Sequence, residues 1–232
     1  MGLNAKKVQG NNNNNRVEQP ILEAGVYPAR LVQLIDLGLQ AQRPYQGKDK
    51  PPAQEIMLTY ELVDAFMVDA EGNEVEDKPR WVSETLPFYG LIADKAKSTQ
   101  RYNALDPTGQ YDGDFSRAID TPINVTLVNN IIGDKTYTNV ANIAAMRPRD
   151  AANCPPLVND TKLFDLDAPN LDVFNSLPEW LQTKIKTNLK YNGSPLEALL
   201  TGKAADKPKA AKVKEEKPEA PAEDDDAGDN PY

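Results

Sequence analysis

The chain has no histidine among its 232 residues and only one cysteine, Cys154. Without histidine it lacks the commonest general base and a major metal ligand, which excludes histidine triads and dyads and most zinc sites. A lone cysteine cannot close an internal disulfide, so a core must hold the fold and a reducing compartment is expected. The apolar runs are too short to cross a bilayer and the N-terminus has no signal-peptide core, so a soluble, cytoplasmic protein without membrane partners is expected. A glycine-rich phosphate loop, a Walker lysine and a nucleophile elbow are also missing. The acids are scattered over turns and predicted helix surfaces, with no spacing that would converge them on a metal. Neither catalysis nor a cofactor nor a bound metal is expected.

What is abundant is negative charge, and it is uneven. Of the net charge of −9, residues 218–232 carry −6, residues 203–217 carry +3, and residues 1–202 carry −6. The last segment has six carboxylates and no basic side chain, and it ends on an aromatic residue. It has too little apolar surface to offset the entropy of ordering, so a solvated tail is expected. Such a polyanion can compete with nucleic acid for a basic groove, dock on basic patches of other proteins through Glu223, Asp224, Asp225, Asp226, Asp229 and Tyr232, or simply solubilise the chain. A body of net negative charge counts against a strongly basic nucleic-acid binder, so any such activity has to come from local cations and aromatics.

The organisation reads as an N-terminal arm (1–20) with an asparagine run, one barrel-sized domain (21–150), a C-terminal extension (151–202) and a lysine-proline then acidic tail (203–232). The first strand is expected from Gly25, bending at Gly38, because Pro28 would be awkward inside a helix; a helix over 29–39 is the alternative. A glycine- and proline-bounded loop follows at 40–52. Strict alternation at Ile56, Leu58, Tyr60 and Leu62 marks a second strand, residues 71–74 a turn, and 80–86 the returning strand. The spacing predicts a helix over 91–104, then strands at 122–128 and 136–143. Strand, strand, strand, helix, strand, strand is the order of a five-stranded OB-fold barrel, so the fold class expected is mainly β. In the extension, Leu177, Trp180, Leu181, Ile185 and Leu189 predict a helix over 171–189, with a shorter one at 195–200.

An OB-fold commonly binds single strands across its second and third strands and in the loops joining strands one to two and four to five. Residues suited to that chemistry lie at those places. The first loop has Arg43, Tyr45, Lys48 and Lys50, the third strand opens with Arg80 and Trp81, and the last turn has Lys135 and Tyr137. The predicted helix adds Lys95, Lys97 and Arg101. Cations neutralise phosphates, and stacking on an aromatic is worth about 1–3 kcal/mol per base. Trp81 lies on the face opposite Val82 and Leu86 and is expected outside the barrel, whereas Tyr60 and Trp180 are expected in cores.

Taken together, GVYPARLVQLIDLGLQ (Gly25–Gln40), EIMLTYELVD (55–64), the strand and helix order to about Met146 and the acidic tail ending in an aromatic resemble the single-stranded DNA-binding proteins of tailed bacteriophages, particularly enterobacterial ones. The resemblance implies an OB-fold that coats single-stranded DNA in replication and recombination in the host cytoplasm, with a tail that recruits replication proteins. The body's negative charge departs from that pattern. A protein-interaction adaptor without nucleic-acid binding is the alternative, and a metal-dependent nuclease a distant third.

Overall fold

A computed structural model describes residues 17–44 and 46–202. Period-two apolar patterning produces five long or medium strands: β1 (Gly25–Gln40), β2 (Ala53–Val68), β3 (Glu74–Pro87), β4 (Pro122–Ile132) and β5 (Lys135–Ala145). They hydrogen-bond in the order β3-β2-β1-β4-β5, every pair antiparallel. A short β6 (Lys162–Phe164) joins parallel to β1. The edge of β1 that pairs with β4 over Gly25 to Arg30 therefore pairs with β6 over Gln33 to Ile35. Among the described residues no ladder joins β3 to β5.

β1 is a strand through its whole length, not a helix over 29–39. Register shifts after Leu31 and after Asp36 change which side chains face which way. Ala29, Leu31 and Leu34 enter one core with Leu58, Tyr60, Leu62, Leu86, Ile123, Val125 and Leu127. Ile35 and Leu37 enter a second core on the opposite face, with Met57, Phe164, Phe174, Leu177, Leu181, Ile185 and Leu196. A strand buried on both faces needs the near-continuous apolar run that β1 has. At Gly38, where a bend is expected, the strand continues through the second register shift with a left-handed φ of +77°; a Cβ there would meet the side chain of Asn188 at 2.6 Å.

Between β3 and β4 lies α1 (Lys97–Leu105), followed by a 3-10 turn at Phe115–Ala118. The helix is shorter than the spacing over 91–104 predicts. Residues 91–96 form turns, and Ile92 is almost fully exposed. The extension consists of α2 (Pro148–Asn153), β6, α3 (Leu171–Asn175), α4 (Glu179–Lys186) and α5 (Pro195–Thr201). The single helix expected over 171–189 is split, because Pro178 takes an extended conformation as the N-cap of α4.

The extension is clamped to the sheet before it packs on it. Arg30 and Glu61 are directly opposite partners on β1 and β2. Arg30 donates from Nε to the Pro155 carbonyl at 2.7 Å and from a terminal nitrogen to the Cys154 carbonyl at 3.0 Å. Glu61, buried, accepts from the Val158 amide at 2.7 Å and from the Asn159 side chain at 2.7 Å. The cation thus holds carbonyls and the carboxylate holds N–H groups of the same passing loop. Each large side chain buried in the second core adds about 1.5–3 kcal/mol, so the extension is held chiefly by packing.

Candidate nucleic-acid interface

The loop from β1 to β2 places Arg43 and Lys50 in the lining of a pocket of about 420 Å³ with Gln40, Gln42, Glu55 and Lys184. Lys184 comes from α4 and is paired with Glu55 at 2.7 Å. The other oxygen of Glu55 accepts from the Gln42 side chain at 2.9 Å. Three cations against one carboxylate leave this pocket a formal charge of +2. Lys48 is exposed on the same loop, and Tyr45 lies outside the described residues.

Glu55 is also the cross-strand partner of Pro87, at the end of β3. Six residues further along β2, on the same face by strand alternation, Glu61 opposes Trp81. Trp81 is 39% exposed, while Leu86 on the other face of β3 is buried. Its indole N–H donates to Glu61 at 2.9 Å, so the carboxylate that holds the extension's leading loop also fixes the orientation of this ring. Between the two ends, Ser83 hydrogen-bonds Thr59 across the pair, and Ser83 and Thr85 are exposed. On this face Met57, Thr59 and Glu61 of β2 are buried, and the exposed side chains are those of β3, which run from the oriented indole over Ser83 and Thr85 toward the end of the pair where Glu55 lines the cationic pocket.

The other predicted residues are dispersed. Lys135 and Tyr137 belong to the β4–β5 hairpin, next to the start of β1, whereas the cationic loop follows the end of β1. Tyr137 is 46% exposed, and register puts it on the hairpin face that carries the exposed Val128 and Ile132 as well as Lys135. Lys95 and Lys97 are exposed just before and at the start of α1. Arg80 is half-buried and donates to the Pro20 carbonyl at 2.9 Å; burial lowers its pKa. Glu223, Asp224, Asp225, Asp226, Asp229 and Tyr232 lie outside the described residues.

Arg101 corrects the expectation that it meets phosphates. It is 1% exposed and makes four hydrogen bonds: Nε and one terminal nitrogen donate to Glu84 of β3 at 2.7 and 3.1 Å, and the terminal nitrogens reach the Asn142 side chain and the Ala141 carbonyl of β5 at 2.9 and 3.2 Å. Glu84 also accepts from the Tyr60 hydroxyl at 2.9 Å. Burial, together with that neighbouring carboxylate, pushes the Tyr60 hydroxyl well above its ordinary pKa. Arg101 thus links β3 to β5 where no ladder does.

Trp180 is the second correction. It is 60% exposed, because α4 buries Leu181 and Ile185 and leaves the side carrying Trp180 uncovered. Apolar spacing at three and four residues could not separate Trp180 from Leu181, which is its neighbour on the same stripe. Lys184 was missed because a lysine on a predicted helix surface carries no positional signal until the helix is docked. Among the described residues no three potential ligands are grouped to hold a metal ion, and no helix is long and apolar enough to cross a membrane. Comparison with protein-family models and with curated proteins finds no match.

Proposed function

We propose that the chain is a sequence-tolerant single-stranded DNA-binding protein of the tailed-phage kind, acting without covalent chemistry in DNA replication and recombination. The observation that carries this reading is that the oriented, exposed Trp81 and the pocket lined by Arg43, Lys50 and Lys184 share one side of the β2–β3 pair. A single strand has both an unpaired π-face and a phosphate at every nucleotide, so a stacking ring followed by a cationic pocket suits it regardless of sequence. The strand order β3-β2-β1-β4-β5, with a helix between β3 and β4 and Arg101 tying β3 to β5, supports an OB-type barrel as the scaffold. In this reading the acidic residues at 218–232 compete with DNA and recruit replication proteins.

The test is fluorescence anisotropy of a labelled dT oligonucleotide at two salt concentrations. Binding that weakens with salt is expected, together with a fall of about 5- to 150-fold in Trp81→Ala, equivalent to about 1–3 kcal/mol of stacking. Absence of binding at low salt refutes the reading.

The second reading, a protein-interaction module, is favoured by a groove of about 1290 Å³ between sheet and extension. Leu34, Ile56, Phe88 and Phe115 line it with Asp36, Asp114, Asp165 and Asp167, a mix suited to a basic peptide rather than to DNA. The same assay separates the two: no oligonucleotide binding leaves the adaptor.

A further inference from the structure

Two features of α4 lie outside its apolar packing. Trp180 exposes 60% of its surface although it is one of only two tryptophans in the chain. Lys184, one helical turn later, reaches Glu55 while its side chain stays 33% exposed. Residues four apart share a side of a helix, so Trp180 lies on the flank of α4 from which Lys184 reaches Glu55 of β2. The core contacts of α4 are made by Leu181 and Ile185 instead. The helix is tied to β1 by Gln40 donating to the Lys184 carbonyl at 3.1 Å and, just past its end, by the Leu189 amide donating to the Leu39 carbonyl at 2.8 Å.

We infer that α4 supplies one wall of the single-strand path: Trp180 stacks a base, and Lys184 with Arg43 and Lys50 holds an adjoining phosphate. This deepens the reading under Proposed function and depends on it. Charge selects the occupant, because the pocket that Lys184 lines, one helical turn from Trp180, has three cations and one carboxylate. Glu55 works against a phosphate there, yet it is also what fixes Lys184 and Gln42 in the pocket. An indole next to such a cluster meets the two chemistries that every nucleotide of a single strand presents. The extension is then a working part of the interface as well as a cover for the apolar face of β1.

The chain's having two tryptophans makes the test specific. In full-length Trp81→Phe, Trp180 is the remaining indole, and its emission is followed during titration with unlabelled dT oligonucleotide while anisotropy of a labelled copy reports binding. The expected result is quenching of Trp180 with the same midpoint as the anisotropy change. Trp180→Ala is expected to weaken binding about 5- to 150-fold with an unchanged dependence on salt, since stacking releases no counterions. Lys184→Gln is expected to reduce the slope of log affinity against log salt by about 0.7, the value of one phosphate contact on a single strand. Circular dichroism checks that each variant is folded. If the wild-type chain binds but Trp180 emission and Trp180→Ala affinity stay unchanged, the wall is elsewhere and single-strand binding still stands. If the wild-type chain does not bind the oligonucleotide, the underlying reading fails and this inference fails with it.

Discussion

Replacing Arg101 by Met should unfold this protein more readily without touching a phosphate contact. The side chain is buried, and its four hydrogen bonds join Glu84 on β3 to Asn142 and Ala141 on β5. Methionine fills much of the volume but donates nothing. Glu84, whose side chain is 10% exposed, would keep only the Tyr60 hydroxyl, and both acceptors on β5 would lose a donor. Breaking a buried pair from one side typically costs about 3–5 kcal/mol, because the remaining charge stays desolvated. At about 2–4 °C per kcal/mol for a folding unit of this size, the melting temperature should fall by about 6–20 °C.

A control separates this cost from general core damage. Adding Glu84→Gln to Arg101→Met removes the orphaned charge, so the double variant should be more stable than the single one, with a coupling above about 1 kcal/mol in the cycle. The assay is urea unfolding followed by circular dichroism, with oligonucleotide anisotropy measured on the folded fraction. A variant that unfolds at the wild-type midpoint, yet loses about 0.7 of the salt slope, would refute the structural role and return Arg101 to the DNA contacts.

Gly38→Ala should cost at least about 1–3 kcal/mol in urea unfolding, since it puts a Cβ against Asn188 in a left-handed conformation; wild-type stability would mean the extension can shift there freely. Asp36 is raised above the ordinary 3.8 by burial, against hydrogen bonds from Gly38 and Gln54 and with help from Asp165. The folded state therefore holds that proton more tightly, so stability should fall as pH rises from 3.8 through the raised value, and Asp36→Asn should flatten this stretch of the stability profile measured by urea unfolding. Tyr137→Ala should weaken oligonucleotide binding in the anisotropy assay with no change in salt slope if the hairpin face with Val128 and Ile132 carries a base; unchanged affinity would remove the hairpin from the interface. Neutralising Arg43, Lys48 and Lys50 together should lower the slope of log affinity against log salt by up to about two, and an unchanged slope would move the phosphate path to Lys95 and Lys97.

The strands were legible because alternation survives wherever one face is wet. Ile123, Val125 and Leu127 on β4 alternate with half-exposed Asn124 and Thr126, and the structure has a strand there. β1 was legible as a strand but not in its purpose. Its continuous apolar run reflects burial on both sides, and the register shifts that assign Leu34 to one core and Ile35 and Leu37 to the other leave no trace in hydropathy. The start of α1 was misplaced because Leu91 and Ile92 fit a helical stripe by spacing alone, while the chain turns there and leaves Ile92 in solvent.

For the site, residue type was legible and commitment was not. A cation in a predicted helix counts equally toward solvent, an ion pair or a phosphate until the partner is known. Arg101 and Lys184 show the two outcomes. Arg101 meets a carboxylate, an amide and a carbonyl inside the protein, and four of its five N–H donors are spent there. Lys184 meets one carboxylate at the lip of a pocket, with its side chain 33% exposed and two of its three ammonium protons free of that contact. The difference comes from tertiary docking. Arg101 closes a gap between strands 58 residues apart in sequence, Glu84 and Asn142, and Lys184 approaches Glu55 from 129 residues away. Local pattern contains neither distance. A search for phosphate-binding side chains in such a protein should therefore begin with cations that retain solvent after the fold is assembled, and here that criterion drops Arg101 and adds Lys184.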